Sequence, residues 1–287
     1  MKYPRVFIKA ALILAGALAA APAAPALVIT QWNFSGAAGA GDNSPAPTTG
    51  AGTATMLGMT NSYNYTIGAT NATIAGVGAT ASGDVLSSPG VANTSFNEFT
   101  WRIRGIKGSG DTGSANNGWN ISAPQYSQGA EFDVSTAGYS NISFSFDWYS
   151  TNQGVRDLQE QYTLDGTTWN NIGPVLAAVP NDYFGTSSPT NTISFSSIVG
   201  ASNDPDFGVR LVSAYDPTYT GTGSPSYTSA TLTGGLPTQY NNNSGNWRFA
   251  NITVEGTAVA VPEPGTTAML TGVVALVAGG IYRRRRS

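Results

Sequence analysis

The residues that could carry out chemistry in this chain are carboxylates or a tyrosine, because histidine and cysteine are both absent. Without histidine, the commonest general base is missing, and Ser-His-Asp and Cys-His arrangements are excluded. Asp157 and Glu160 are close in sequence, and with Asp147 they could form a carboxylate pair of the glycosidase kind. Their spacing does not show convergence, and acidic residues in turns are usually solvated. The sequence therefore predicts no catalytic residue and no enzyme.

Three aspartates could in principle hold calcium, because hard cations are bound by several oxygen ligands. They are Asp204, Asp206 and Asp216. The first two flank Pro205 but lack the Asp-x-Asp-x-Asp-Gly spacing and the closing Glu of a calcium loop, which favours a turn. We expect no metal site and no cofactor, and structural calcium is the alternative that the sequence leaves open.

Aromatic residues offer a second kind of chemistry, that of ligand binding. An aromatic ring presents a broad apolar face that can lie against a sugar, with polar groups nearby to bind hydroxyls. Protein cores use the same rings for packing, and we expect Trp101 and Trp148 in the core. Trp119, Tyr126 and Tyr149 are the candidate ligand-binding residues, with packing in the core or in a loop as the alternative for each.

The elements that must position these residues are β-strands. Short alternating runs, separated by Gly, Pro and Asn clusters, are typical of an all-β sandwich or barrel. The clearest strand is Asn141 to Tyr149, with Ile142, Phe144, Phe146 and Trp148 facing the core. Other strands are predicted at Val28–Phe34, Phe99–Ile103, Phe132–Val134, Tyr162–Leu164, Phe207–Leu211 and Ile252–Val254. Residues 36–90 and 215–245 are predicted to be rich in loops, with one or two weak strands in the first stretch.

The pair Asp165-Gly166 predicts a hairpin turn between Tyr162–Leu164 and Trp169, with the glycine at positive φ.

The body, residues 27–260, is long enough for one large β domain with a substantial core. Its acidic residues outnumber its basic ones. This balance disfavours nucleic acid as a partner, because binding to the phosphate backbone requires a cationic surface.

Both ends of the chain carry targeting features. Lys2, Arg5 and Lys9 flank or enter an apolar run followed by small residues, so residues 1–26 are predicted to be a secretory signal peptide. At the other end, no charge occurs from Gly265 to Tyr282, and this run is just long enough to span a bilayer as a helix. Arg283, Arg284, Arg285 and Arg286 follow it as a cationic stop on the cytoplasmic side. A buried C-terminal helix with a solvated basic end is the alternative.

The order of these parts resembles a known sorting signal. Val261, Pro262, Glu263 and Pro264 precede the apolar run and the arginines, which is similar to the PEP-CTERM signal of exopolysaccharide-producing Gram-negative bacteria. The resemblance covers about the last 27 residues. It implies recognition of residues 261–264 by an exosortase-type membrane enzyme. It also implies a protein anchored in the inner membrane before processing and located afterwards at the cell surface or in the extracellular matrix.

A second resemblance covers about half of the body. The stretch from Gly129 to Gly173, with Gly245–Gly256 near the end, is similar to a jelly-roll module of exported bacterial proteins. It implies a jelly-roll-like antiparallel β-sandwich and no particular reaction. The expected function is that of an exported, non-enzymatic, surface- or matrix-associated protein. A carbohydrate-binding module that takes exopolysaccharide is the alternative, and a carboxylate-only glycosidase is a third class.

Overall fold

The structure, a computed structural model, describes residues 24–34, 44–58, 79–80, 99–103, 119, 123–150, 154–178, 191–238 and 246–259. None of these residues lies in a helix, and the all-β prediction is confirmed for them. The strands are β1 (Ala26–Trp32), β2 (Thr53–Leu57), β3 (Ala79–Thr80), β4 (Phe99–Ile103), β5 (Gly129–Asp133), β6 (Tyr139–Ser150), β7 (Asp157–Thr163), β8 (Asn170–Ala177), β9 (Asn191–Ser194), β10 (Gly208–Ser213) and β11 (Trp247–Ala258).

The strands form two sheets, and every pairing within them is antiparallel. The first sheet has the order β3-β4-β11-β6-β9, and β1 also pairs with β11. Strand β11 is long enough to pair with β4 near its start and with β1 further along, both on the edge opposite β6. The second sheet has the order β2-β5-β10-β7-β8. Among the described residues, strands β8 and β9 each pair with one other strand, so each ends its sheet.

Aromatic contacts between the two sheets make the fold a β-sandwich. Phe132 of β5 lies 5.3 Å from Trp32 and 5.7 Å from Phe144, measured between ring centroids. It also meets Trp101 at 6.0 Å. All four rings are buried. Since rings at these distances contribute to stability beyond their buried area, Phe132 is a central contact between the sheets.

The alternation predicted for β6 is confirmed for its first three apolar residues. Ile142, Phe144 and Phe146 are buried in the core. Trp148 is only partly buried and packs edge-on against Trp247 at 5.3 Å. Trp101 is fully buried, as expected.

Most of the other predicted strands are observed in β1, β4, β5, β7, β10 and β11. The described residues of 36–90 contain β2 and the two-residue β3, in agreement with a stretch of loops and weak strands. Residues 215–238 contain only isolated bridges and turns. Strands β8 and β9 were not predicted, because neither edge segment alternates clearly between apolar and polar residues.

The predicted targeting segments lie almost entirely outside the described residues. Strand β1 begins at Ala26, the last residue of the predicted signal peptide. The sorting motif (Val261, Pro262, Glu263 and Pro264), the apolar run 265–282 and the arginines 283–286 all fall outside. Within the described ranges, no helix has the length and apolar character needed to cross a bilayer.

Candidate functional site

A row of polar residues crosses the outer face of the five-stranded sheet. Directly paired residues of antiparallel strands point to the same face, so four consecutive pairings bring these side chains together. The polar ladder consists of Thr55, Glu131, Arg210, Gln161 and Asn171, one from each of β2, β5, β10, β7 and β8. Adjacent strands are about 4.8 Å apart, which makes the row roughly 19 Å long.

Hydrogen bonds run along the polar ladder. The Nε atom of Arg210 donates to Oε2 of Glu131, and the two form a salt bridge. Gln161 Nε2 donates to Oδ1 of Asn171 at 2.8 Å, and Asn171 Nδ2 donates to the Tyr126 hydroxyl at 3.4 Å. The row therefore holds donors and acceptors in fixed positions.

The electrostatics of the ladder are set by two carboxylates beside one guanidinium. Burial, with the nearby charge of Asp133, raises the pKa of Glu131, while Arg210 opposes the shift. Asp133 lies two residues after Glu131 on the same face of β5, where it accepts a hydrogen bond of 3.1 Å from the hydroxyl of Thr53. Together, Glu131 and Asp133 give this end of the face the character of a hydrogen-bond acceptor.

Trp169 extends the face with an aromatic ring. The guanidinium carbon of Arg210 lies 3.8 Å from the ring centroid, a cation–π contact. The ring edge also reaches Gly208 of β10: a Cβ built there would lie 3.1 Å from Cη2 of Trp169 and 2.8 Å from Asp133. A side chain at position 208 would displace the ring, so the glycine allows Trp169 to lie over the sheet.

The turn before β8 positions Trp169. Gly166 has φ of +69°, and β7 and β8 pair on either side of it, so the predicted hairpin is confirmed, with a connection of six residues, 164–169. The carboxylate of Asp165 accepts hydrogen bonds from the backbone N–H groups of Thr167 at 2.8 Å and Thr168 at 2.6 Å. These bonds, that of Thr168 most strongly, lower the pKa of Asp165. Because they favour the ionised carboxylate, the turn is fixed at neutral pH.

A small cavity adjoins the acidic end of the face. It has a volume of about 210 Å³ and is lined by Glu131, Asp133, Gly166, Pro205, Asp206 and Phe207. The carboxylates on its wall accept hydrogen bonds, and the ladder beside it supplies amide and guanidinium donors. This combination of donors, acceptors and a flat ring suits a ligand that carries several hydroxyl groups.

The three candidate ligand-binding residues lie in different environments. Trp119 is fully buried and packs on Trp247, with ring centroids 4.4 Å apart. Tyr149 does lie on the outer face of its sheet, but it is only 3% exposed, and its cross-strand partner Arg248 lies over the ring. Arg248 and Tyr149 therefore pack against each other on this face. Tyr126 is half-buried and adjoins the polar ladder through Asn171.

The three carboxylates considered for glycosidase chemistry do not converge. Asp147 lies in the first sheet, where it accepts a hydrogen bond of 2.8 Å from Asn251 of the neighbouring strand β11. Asp157 and Glu160 are three residues apart on β7 and point to opposite faces. Both are buried within the strand, so the expectation that they are solvated in turns is wrong.

Two of the three aspartates considered for calcium, Asp204 and Asp216, are held by protein groups. Asp204 accepts a hydrogen bond from the backbone N–H of Asp206 at 2.9 Å. Asp216 binds Arg156 and the hydroxyl of Thr218 at 2.6 Å each. The described part of the chain holds no cluster of three or more acidic residues suited to a metal ion.

Sequence reasoning missed the polar ladder and Trp169 because they depend on strand register. The ladder residues come from five separate segments between positions 55 and 210, and no local pattern connects them. One signal was available: Glu131, Gln161 and Arg210 each occupy a polar position in an alternating run.

No protein-family model matches this chain, and no curated protein matches it.

Proposed function

We propose that this chain is an exported, non-enzymatic, surface- or matrix-associated protein whose β-sandwich binds polysaccharide. The observation that carries this proposal is the polar ladder on the outer face of the five-stranded sheet, with Trp169 lying over Arg210. A sheet face of this kind can contact an extended chain of sugars at several points.

The chemistry of the face favours a neutral, hydroxyl-rich ligand. Glu131 and Asp133 accept hydrogen bonds from hydroxyl groups, and the exposed Asn171, which the buried Gln161 holds in place, can both donate and accept. Arg210 covers one face of the partly buried Trp169 ring, and the opposite apolar face complements the C–H face of a sugar ring. A polyanion is disfavoured, because the only cation of the ladder, Arg210, is already paired with Glu131.

Export and sorting belong to the same proposal. The signal peptide brings the chain across the inner membrane, and the PEP-CTERM-like tail holds it there until an exosortase-type enzyme acts on it. The sandwich has a jelly-roll-like connection of strands in this proposal, on the strength of the resemblance around residues 129–173. The protein then remains at the cell surface or in the matrix, next to the exopolysaccharide that it binds.

Binding of the full-length chain to neutral exopolysaccharide, measured by surface plasmon resonance, tests the proposal. We expect Trp169→Ala to weaken binding by about tenfold, because the stacking contact is lost. Tyr219→Ala is the matched control, because Tyr219 is a half-buried aromatic in the loop after β10, where its hydroxyl donates to the carbonyl of Thr222 at 2.9 Å. This control should bind as the wild type does.

Two results would contradict the proposal. One is equal affinity of the wild type and a folded Trp169→Ala variant. The other is the release of new reducing ends from the polysaccharide by purified protein, since that result would make the protein a glycosidase.

A further inference from the structure

A cleft opens at the edge of the sandwich, where both sheets end. It lies on the inner side of β7, whereas the polar ladder lies on the outer side. Strands β8 and β9 are the edge strands of their sheets, and residues of both line the cleft. Its volume is about 350 Å³, within the range of small-molecule sites. Ile172, Leu176 and Ile193 provide apolar walls, and Asn191, Thr192 and Ser194 provide polar ones.

Glu160 places a carboxylate in this cleft. It follows Leu158 and precedes Tyr162 at alternate positions of β7, so its side chain points between the sheets with theirs. Glu160 is only 6% exposed. A Cβ built on Gly173, in the cleft wall, would lie 3.0 Å from Oε2 of Glu160.

The strand opposite Glu160 is shaped to leave room for the carboxylate. Register shifts between the pairs Leu158–Leu176 and Glu160–Ile172, and Gly173 in this bulge has φ of +68°. The side chain of Gln159 fixes the bulge by donating to the carbonyl of Ile172 at 3.0 Å. A residue other than glycine at 173 would be strained and would crowd the carboxylate.

The carboxylate of Glu160 has no partner among the described residues. No hydrogen bond or salt bridge joins its side chain to any of them, and burial alone raises its pKa to about 7. A buried carboxylate without a partner is unfavourable, and it becomes favourable when a cation or donor reaches it. The carboxylate is therefore suited to a ligand that brings a positive charge.

We propose that this cleft binds a small organic ammonium ion, with the ammonium group on Glu160 and the carbon skeleton against Ile172, Leu176 and Ile193. A divalent metal is disfavoured because one carboxylate supplies too few oxygen ligands. An anion is disfavoured by the charge of Glu160. The three apolar side chains can pack against an alkyl skeleton, but they offer no ligand atoms to an inorganic cation. The site is independent of polysaccharide binding, so either proposal can fail while the other holds.

Saturation-transfer NMR on the full-length chain, with n-butylammonium chloride as probe and 1-butanol as its neutral counterpart, tests the site. At about pH 8 we expect the wild type to bind the ammonium ion at least tenfold more tightly than the alcohol. Glu160→Gln should remove this preference while keeping the shape of the side chain. Glu255→Gln, the same change on the outer face of the other sheet, should keep it.

A second variant makes the test independent of any change at Glu160. Thr192 is exposed on the edge strand β9 and lines the cleft, and Thr192→Lys would place a competing cation at its mouth. We expect affinity for butylammonium to fall severalfold, with thermal unfolding unchanged. Equal binding of the two probes by the wild type, no binding of butylammonium, or an unchanged preference in Glu160→Gln would each overturn the proposal.

Discussion

The guanidinium of Arg156 donates a hydrogen bond of 2.6 Å to Oδ2 of Asp216, and this ion pair joins the start of β7 to the loop after β10. The Asp216 side chain is fully buried, and the Thr228 hydroxyl lies 2.9 Å from it and 3.2 Å from Asp157. One cation thus stands beside two buried carboxylates. Burial would raise the pKa of Asp216, but hydrogen bonds from Thr218 and Thr228 and the charge of Arg156 outweigh it and lower the pKa.

We expect Arg156→Met to lower the free energy of unfolding by about 3 kcal/mol, because it leaves a buried carboxylate without its cation. Urea unfolding of the two proteins measures the change. Adding Asp216→Asn to Arg156→Met should recover part of the loss, since the uncompensated charge is then gone. A double variant no more stable than Arg156→Met alone would show that the ion pair is not the cause.

The alternation of single strands was readable from the sequence, while contacts between strands were not. Ile142, Phe144 and Phe146 alternate with polar residues, so all three side chains lie on the face of β6 that packs in the core. This alternation can be read from the sequence of the strand alone. Tyr149 shows the limit: its side of the strand was predicted correctly, but the cross-strand residue Arg248 that covers it comes from 99 positions further along. Which face is free depends on partners that a single strand does not reveal.

Glu160 shows a second limit of the sequence. In Leu158-Gln159-Glu160-Gln161-Tyr162, the apolar residues at 158 and 162 place position 160 on the inner side of the strand. Carboxylate side chains are usually exposed, so the residue type at position 160 favoured a solvated side chain. The two-residue alternation along β7 predicts the orientation of Glu160 correctly, because strand geometry decides which face each side chain is on. The bulge at Gly173 makes room for the carboxylate.

Phe132 should be the most sensitive of the core positions discussed above. Its ring meets Trp32, Trp101 and Phe144 of the opposite sheet, so Phe132→Ala would open a cavity between the sheets. We expect a loss of about 3–5 kcal/mol in the free energy of unfolding, measured by urea denaturation. Val199→Ala is the control, because Val199 is 95% exposed and should change stability little. Similar losses in both variants would mean that Phe132 is not a central contact.

The stability of the sandwich should fall as pH rises from about 4 to about 7. Burial, with the charge of Asp216, raises the pKa of Asp157 to about 7, and burial raises the pKa of Glu160 to about 7. In the unfolded chain both groups titrate near their ordinary values of 3.8 and 4.5. The folded state therefore binds more protons than the unfolded state in this interval, and its advantage is lost as pH passes the folded pKa.

Unfolding in urea at about pH 5 and about pH 8 checks this dependence. The double variant Asp157→Asn/Glu160→Gln should show a much smaller difference between the two conditions than the wild type. The lowered pKa values of Asp165 and Asp216 act in the opposite direction, but only below about pH 4. A wild type that is more stable at the higher pH would contradict the assignment.

The last prediction concerns the tail, where the order of Pro262-Glu263-Pro264, an apolar run and four arginines supports sorting by a membrane enzyme. Each proline fixes φ and lacks a backbone donor, so this stretch should stay extended and accessible rather than join a following helix. In the topology that we propose, the arginines lie on the cytoplasmic side and Glu263 lies at the outer boundary of the membrane. Replacing residues 262–264 with three alanines should leave export intact, because the proposed signal peptide is unchanged, and should stop processing. Mass spectrometry of the mature C-terminus, in cells that carry an exosortase, reads the outcome. Wild-type protein that retains Arg283–Arg286 would mean that the tail is a plain membrane anchor.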